Sequence, residues 1–242
     1  IGIQMTYCNL ETEQTKYFRE EFSFEEIKKW FDDLMEEYGK WATFQCEMKN
    51  QRQASIKELD FPFEYRPGQK KLVSDVYRTI MRQKLLFMQA PTGVGKTIST
   101  IFPAVKAVGE ELADRIFYLT AKTITATVAK ETFALLEKNG YRAKTIQITA
   151  KEKLCPCDEM ECNPVTCPYA KGHFDRVNDA VFDLLHRCEM IERDDILSQA
   201  DRYTVCPFEL CLDTASWCDN VICDYNYVFD PNVYLKRFFQ EG

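Results

Sequence analysis

Eight consecutive residues in the first half of the chain have the types and spacing needed to hold a nucleoside triphosphate. They are Ala90-Pro91-Thr92-Gly93-Val94-Gly95-Lys96-Thr97, and a helical pattern follows them. Glycines here allow backbone N–H groups to point at phosphate, and the helix N-terminus adds its positive dipole end. Lys96 can reach the β- and γ-phosphates, and the Thr97 hydroxyl can bind Mg²⁺. The sequence therefore predicts a P-loop with catalytic Lys96 and Thr97 and with these nucleotide-binding residues: Ala90, Thr92, Gly93, Val94, Gly95, Lys96 and Thr97.

A second group of candidate nucleotide-binding residues lies shortly before the P-loop. Tyr65, Arg66 and Gln69 introduce a helix, and Gln69 precedes Lys96 by 27 residues. An aromatic ring can stack on adenine, and the Gln69 amide offers both a donor and an acceptor to the base edge. The pattern predicts adenine binding, with aromatic packing at the start of an ordinary helix as the alternative.

A third group follows the next apolar run. Arg115–Leu119 is predicted to be a buried strand, and Thr120, Lys122 and Thr123 come directly after it. In open α/β sheets, ligands bind at the carboxyl ends of the strands. Hydroxyls and a lysine at a helix N-terminus suit a phosphate backbone better than a base. These three residues are predicted to contact nucleic acid, with plain helix capping as the alternative.

Nine of the eleven cysteines fall between Cys155 and Cys223. A P-loop ATPase works in the reducing cytoplasm, where such a cluster indicates a metal rather than disulfides. Four thiolates suit a [4Fe–4S] cluster or zinc, and the absence of any Cys-x-x-Cys pair favours iron–sulfur. The predicted ligands are Cys155, Cys162, Cys167 and Cys206. Cys157 is an alternative to Cys155, and a rival set, less favoured because Cys223 falls in a predicted buried strand, is Cys206, Cys211, Cys218 and Cys223. Neither histidine, His173 nor His186, is predicted to be a ligand.

Composition restricts the class of protein. Apolar residues make up 45% of the chain, which is enough for a sizeable core. No apolar run approaches the length of a membrane span, and no signal peptide is visible. The net charge is −7, but residues 61–154 carry +8 between acidic flanks of −5 and −10. That basic segment suits a nucleic acid partner, although a solvated basic face would look the same.

The order of elements predicts an α/β fold. A strand at 85–88, the P-loop, a helix, a strand and a second helix lead to a strand at 145–148, a pattern typical of a parallel sheet covered by helices. Residues 1–50 are predicted to be a hairpin and an amphipathic helix that end an upstream domain. The remaining predicted segments are a linker at 51–60, a motor domain at 61–150, a cysteine-rich insertion at 151–210, and a return to the motor domain at 211–242. Within the last two, a helix is predicted at 175–190, a strand at 221–223 and a short helix at 233–239.

These motifs occur in an order that resembles a known family. The chain contains five motifs in this order: aromatic-Arg-Pro-x-Gln, the P-loop, Tyr-Leu-Thr-x-x-Thr, a cysteine insertion ending in Cys-Pro-Phe, and Tyr227-Val228-Phe229-Asp230-Pro231. Over residues 61–242 the chain is similar to the first motor domain of the XPD/DinG group of superfamily 2 DNA helicases. The resemblance implies a RecA-like P-loop NTPase domain interrupted by an iron–sulfur insertion, with ATP, Mg²⁺ and a [4Fe–4S] cluster as cofactors. It also implies 5′→3′ movement on single-stranded DNA by a monomer. By position, it assigns adenine reading to Gln69, nucleotide and Mg²⁺ binding to Lys96 and Thr97, and cluster binding to Cys155, Cys162, Cys167 and Cys206.

One departure from the family concerns its Asp-Glu-Ala-His box, which is absent from the sequence. Asp158-Glu159 lies between cysteines, and Asp224 ends an apolar run where the family has a separate strand. The chain is therefore expected to be an interior piece of a longer helicase and to hydrolyse ATP poorly alone.

Residues 1–50 weakly resemble the end of a PD-(D/E)XK nuclease domain that precedes such helicases in some bacteria. They contain no Asp/Glu/Lys set of nuclease residues, so no nuclease activity is predicted for them. The alternative function is a zinc-containing P-loop ATPase that binds nucleic acid without unwinding it.

Overall fold

The computed structural model describes residues 1–91 and 93–239, without the side chain of Thr123. The predicted nucleotide ligand Thr92 lies outside the described residues. The chain forms two compact units, Ile1–Asn50 and Gln51–Gly242. Within the described part, no helix is long and apolar enough to cross a membrane.

The first unit contains the predicted hairpin. Strands β1 (Gly2–Cys8) and β2 (Thr15–Glu21) pair antiparallel. Helix α1 (Phe24–Lys57) then begins with a capping box, in which Glu26 accepts the Ser23 N–H at 2.8 Å and Ser23 Oγ accepts the Glu26 N–H at 3.2 Å. The helix continues to Lys57, so most of the segment predicted as a linker, 51–60, is helical.

Among its described residues, the second unit contains the last turns of α1, nine further helices and four strands. In chain order they are α2 (Gln69–Met81), α3 (Lys96–Gly109), β3 (Ile116–Thr120), α4 (Thr123–Lys138), β4 (Thr145–Gln147), α5 (Lys151–Leu154), α6 (His173–Arg187), β5 (Met190–Ile191), α7 (Arg193–Tyr203), α8 (Pro207–Ala215), β6 (Asn220–Asp224), α9 (Asn226–Phe229) and α10 (Lys236–Phe239). The predicted helices at 175–190 and 233–239 are thus both shorter than expected.

The four strands form one parallel sheet in the order β3-β6-β4-β5. Strand β6 is central, and its apolar residues are buried on both faces, as is usual in a parallel sheet. Thr120 lies opposite Asp224 in the ladder between β3 and β6. The parallel arrangement was predicted, but β5 was not, because two residues are too short to show a periodic pattern. The cysteine-rich excursion therefore contributes an edge strand to the sheet.

The main core lies where α3 and α4 cover the sheet. Phe102, Phe133 and Leu136 pack there with Ile222 of β6. The end of α1 joins this core through Ile56, which is 2% exposed. The core fixes α3 against the sheet, and the N-terminus of α3 carries the P-loop.

The apolar run before the P-loop is not a strand, contrary to the prediction. Leu85 and Phe87 are 87% and 92% exposed, and no described strand pairs with residues 85–88. An apolar run becomes a strand only when a neighbouring strand offers its backbone N–H and C=O groups. The sequence indicated the apolar character correctly but could not supply a partner.

Candidate functional site

The P-loop is held in shape by two glycines. Gly93 and Gly95 have φ values of +86° and +74°, in the left-handed region that favours glycine. Gly95 caps α3, and Lys96 is the first helical residue. The Lys96 ammonium donates to the carbonyl oxygens of Ala90 at 3.0 Å and Pro91 at 2.9 Å. The lysine therefore lies across the loop, with Thr97 half-buried in the first helical turn behind it.

Gln69 forms hydrogen bonds to the P-loop and to α3. Its side chain is buried, and its Nε2 donates to the Val94 carbonyl at 3.0 Å and to Ser99 Oγ at 3.2 Å. Its Oε1 accepts the Arg66 N–H at 3.0 Å. Both amide N–H donors are thus engaged by the protein in this arrangement. Here the predicted adenine-reading residue braces the P-loop, and adenine reading by Gln69 stays a prediction.

A cavity of about 370 Å³ lies beside this brace. Gln69, Ala90 and Val94 line it together with the start of α2. Tyr65 and Arg66 do not line it. The Tyr65 ring stacks on Phe61 at 4.3 Å between centroids, and the Arg66 guanidinium donates to the Gly93 carbonyl. Three of the predicted nucleotide residues thus line this cavity, and Tyr65 and Arg66 support neighbouring chain. The other described members of the predicted set do not line it; they are Gly93, Gly95, Lys96 and Thr97.

A larger groove of about 650 Å³ opens at the carboxyl ends of β3, β6 and β4. Thr120 and Lys122 line it, as predicted for a ligand at this edge of the sheet. Three cations that the sequence analysis missed join them, namely Lys130, Lys153 and Arg193. They come from α4, α5 and α7, so only the tertiary structure shows that they meet.

Ion pairing and burial shape the walls of this groove. Lys130 pairs with Glu192 at 3.0 Å, and Arg193 donates to the Lys153 carbonyl at 2.9 Å. Burial raises the pKa of the groove residue Tyr227 to about 12, so its phenol stays neutral at physiological pH. The groove thus combines cationic, hydroxyl and aromatic groups with three carboxylates, those of Glu152, Glu192 and Asp224.

Asp224 lines the same groove and does not line the cavity beside Gln69. It ends β6, and its Oδ1 accepts the Asn226 N–H at 2.9 Å, which closes a turn. Its ladder partner is Thr120. That Asp224 is not the acid that activates water stays a prediction.

Five cysteines border one small cavity of about 20 Å³. Four are the predicted ligands and the fifth is the predicted alternative; the set is Cys155, Cys157, Cys162, Cys167 and Cys206. Pro156, Pro207 and Phe208 provide apolar walls. In the rival set, Cys211, Cys218 and Cys223 are buried elsewhere, and burial raises the pKa of each of these thiols.

Charges and hydrogen bonds around this cavity involve several of the thiols. A hydrogen bond with the Cys162 side chain raises the pKa of Lys151. Burial, followed by interaction with Cys167, raises the pKa of Cys157 to about 11. Burial raises the pKa of Cys206, and the backbone of Glu209 and Phe208 acts in the opposite direction.

The fit of a metal group to this cavity rests on donor chemistry. Soft thiol ligands inside apolar walls suit iron–sulfur or zinc. As placed, no group of three or more Cys, His, Asp or Glu side chains in residues 1–91 and 93–239 is arranged so that it could hold a metal ion. The structure brings the predicted thiols to one cavity without forming a coordination sphere.

His173 has a contact that the sequence did not reveal. It was not predicted to be a ligand, and it does not line the cavity, but its Nδ1 accepts the backbone N–H of Cys206 at 3.2 Å. Burial lowers the pKa of His173 below its ordinary value. The separation of 33 positions between His173 and Cys206 hides this contact from any local pattern.

Comparison with known proteins gives one family match. Residues 127–238 match DEAD_2, a DEAD/DEAH-box helicase-like domain. The match supports a helicase-like, nucleic-acid-dependent ATPase of superfamily 2. The mixed α/β structure with its four-stranded parallel sheet fits a RecA-like helicase domain. No curated protein matches the chain. The matched residues include the cysteine cavity and most of the groove, and the P-loop precedes them.

Proposed function

We propose that the intact protein is an ATP-dependent DNA helicase of the XPD/DinG type that moves 5′→3′ on single-stranded DNA. The observation that carries the proposal is the DEAD_2 match over residues 127–238 in a chain whose P-loop, at residues 90–97, lies upstream of it. This chain would supply the first motor domain. ATP binding and hydrolysis would then alternate the closure of two motor domains and move the strand.

At the nucleotide, Lys96 is the central group. Its ammonium would exchange the carbonyls of Ala90 and Pro91 for the β- and γ-phosphates and neutralise their charge. The Thr97 hydroxyl would bind Mg²⁺, and the dipole of α3 would favour the anion. Gln69 would keep the loop in the shape that these contacts need.

At the nucleic acid, the groove would hold the phosphate backbone. Lys122, with Thr120 and Thr123 beside it, would contact phosphates, and Lys130, Lys153 and Arg193 would add charge along the groove. Phosphate contacts of this kind position a strand without reading its sequence. Such binding suits a motor that must move along any sequence.

The cysteine cavity would hold a [4Fe–4S] cluster through Cys155, Cys162, Cys167 and Cys206, with Cys157 as the alternative to Cys155. When bound, such a cluster would tie together the loops that carry its ligands. The chain's own residues contribute the soft donors and the apolar walls that exclude water.

The first test concerns unwinding by the intact protein. We expect it to open a DNA duplex that carries a 5′ single-stranded overhang and not one with a 3′ overhang, with ATP and Mg²⁺ present. Strand displacement followed by fluorescence measures this, and Lys96→Ala is the inactive control. ATPase activity without strand displacement on either substrate would contradict the helicase and favour the non-unwinding ATPase.

The second test concerns the metal. Anaerobic purification of the chain is expected to give a brown protein that absorbs at about 400 nm and contains iron and sulfide. A colourless protein with stoichiometric zinc would contradict the iron–sulfur proposal. The matched control is Cys218→Ser, which removes a buried thiol that lies outside the cavity and is expected to retain the colour.

A further inference from the structure

His173 is buried beside the proposed cluster ligand Cys206 and has no part in the function proposed above. It is the first residue of α6 and is 4% exposed. Its Nδ1 accepts the Cys206 N–H at 3.2 Å. Because an accepting ring nitrogen carries no proton, the proton of the neutral ring lies on Nε2. One hydrogen bond therefore fixes both the tautomer of His173 and the backbone of Cys206.

The other side of the ring faces an acidic pair on α8. Nε2 is buried without a hydrogen-bond partner among the described residues, and the nearest carboxylate oxygen, Asp213 Oδ2, is 3.9 Å away. Arg237 holds that carboxylate through Oδ1 at 2.6 Å and also contacts Glu209 at 3.0 Å. An apolar side chain would fill this space without leaving an unpartnered N–H. A histidine here is therefore better explained by the bond that its Nδ1 makes than by packing.

The position of Cys206 explains what that bond achieves. Cys206 is the N-cap of α8, and Pro207 follows it with a fixed φ and no N–H of its own. The backbone N–H groups of Phe208 and Glu209 act to lower the pKa of the thiol, but the Cys206 side chain makes no capping hydrogen bond. The Cys206 N–H is the remaining backbone donor at this helix start, and His173 accepts it.

We infer that His173 is a positioning residue for Cys206, whose backbone it holds so that the thiol faces the cysteine cavity. The inference rests on the proposed cluster, because it assigns a purpose to the orientation of one ligand. Groups that orient metal ligands are commonly as important for metal retention as the ligands are.

The test compares two substitutions of His173 in the whole 242-residue chain. His173→Leu removes the acceptor at similar size, and His173→Asn keeps an acceptor oxygen near the place of Nδ1. Each protein is first loaded anaerobically with ferrous iron and sulfide. A chelator is then added to remove iron, and the fall in absorbance at about 400 nm is followed over time. We expect His173→Leu to lose its cluster at least about 10-fold faster than wild type. We expect His173→Asn to lose it at nearly the wild-type rate.

His186→Leu is the matched control, because it changes the other histidine, which is exposed near the opposite end of the same helix. Amide hydrogen exchange in metal-free protein provides a second readout, with the Cys206 amide protected in wild type and His173→Asn and exposed in His173→Leu. A brown His173→Leu protein that retains its cluster as long as wild type would overturn the role of His173 but leave the proposed cluster standing. A wild-type protein that takes up no iron would instead refute the proposed cluster.

Discussion

At the scale of single residues, the two P-loop glycines differ in the space that is available for a side chain. Both have positive φ, but a Cβ on Gly93 would meet no atom within 4 Å. A Cβ on Gly95 would lie 2.7 Å from Gln69 Nε2. Gly95 is therefore required by conformation and by space, whereas Gly93 is required by conformation alone.

This difference can be measured with a matched pair of alanine substitutions. Gly93→Ala is expected to lower the free energy of unfolding by about 1–2 kcal/mol, the cost of a left-handed alanine. Gly95→Ala is expected to cost more and to weaken nucleotide binding further, because it also displaces the Gln69 amide from Val94. Chemical denaturation and titration with a fluorescent ATP analogue measure the two effects. Equal losses in both variants would show that Gln69 does not brace the loop.

At the scale of secondary-structure elements, the last turns of α1 are fixed to the amino-terminal edge of the sheet. Arg52 pairs with Asp219, which lies just before β6, and both side chains are largely buried. Asp219 also accepts the Lys144 N–H at 2.8 Å. Lys106 donates to the carbonyls of Ile56 and Leu59 near the end of α1. The helix end is thus held opposite the edge that carries the groove.

Breaking this attachment should cost stability. Arg52→Leu is expected to lower the free energy of unfolding by about 3 kcal/mol, because it leaves the Asp219 carboxylate without its charged partner in a largely buried place. Denaturant unfolding measures the loss. Lys29→Ala is the control, since it breaks the exposed Lys29–Asp33 pair of the same helix and should leave the transition unchanged. Similar behaviour of the two variants would contradict a supporting role for Arg52.

At the scale of the whole molecule, charge is divided along the chain. The net charge is −7, yet cations gather at the groove from α4, α5 and α7. Binding of single-stranded DNA would therefore depend on a local surface inside an acidic protein. Salt should weaken that binding because each phosphate contact releases counterions.

The slope of this salt dependence should decrease when a contact is removed. Lys122→Ala is expected to lower the slope of log affinity against log salt by about 0.7, the value for one contact to a single strand. Lys138→Ala changes the same charge at the far end of α4 and should leave the slope unaltered. Fluorescence anisotropy with labelled oligothymidine at several salt concentrations measures both. Equal slopes for Lys122→Ala and wild type would exclude Lys122 from the contact surface.

Features that depend only on neighbouring residues could be predicted from the sequence. The capping box before α1, the glycines and Lys96 of the P-loop, and the apolar strands β3, β4 and β6 each leave a local pattern. A parallel sheet could be predicted because its buried strands alternate with amphipathic helices. The four cysteine ligands were predicted in the same way, from residue type and spacing, and their role as ligands stays a prediction.

The folded structure was needed to show which distant groups meet. It placed Cys157 at the same cavity as the four predicted cysteines, set Gln69 beneath Val94 and Ser99, and joined His173 to Cys206. It also left residues 85–88 without a described partner strand. Such contacts depend on how elements far apart in the chain pack together, and no local periodicity encodes that packing.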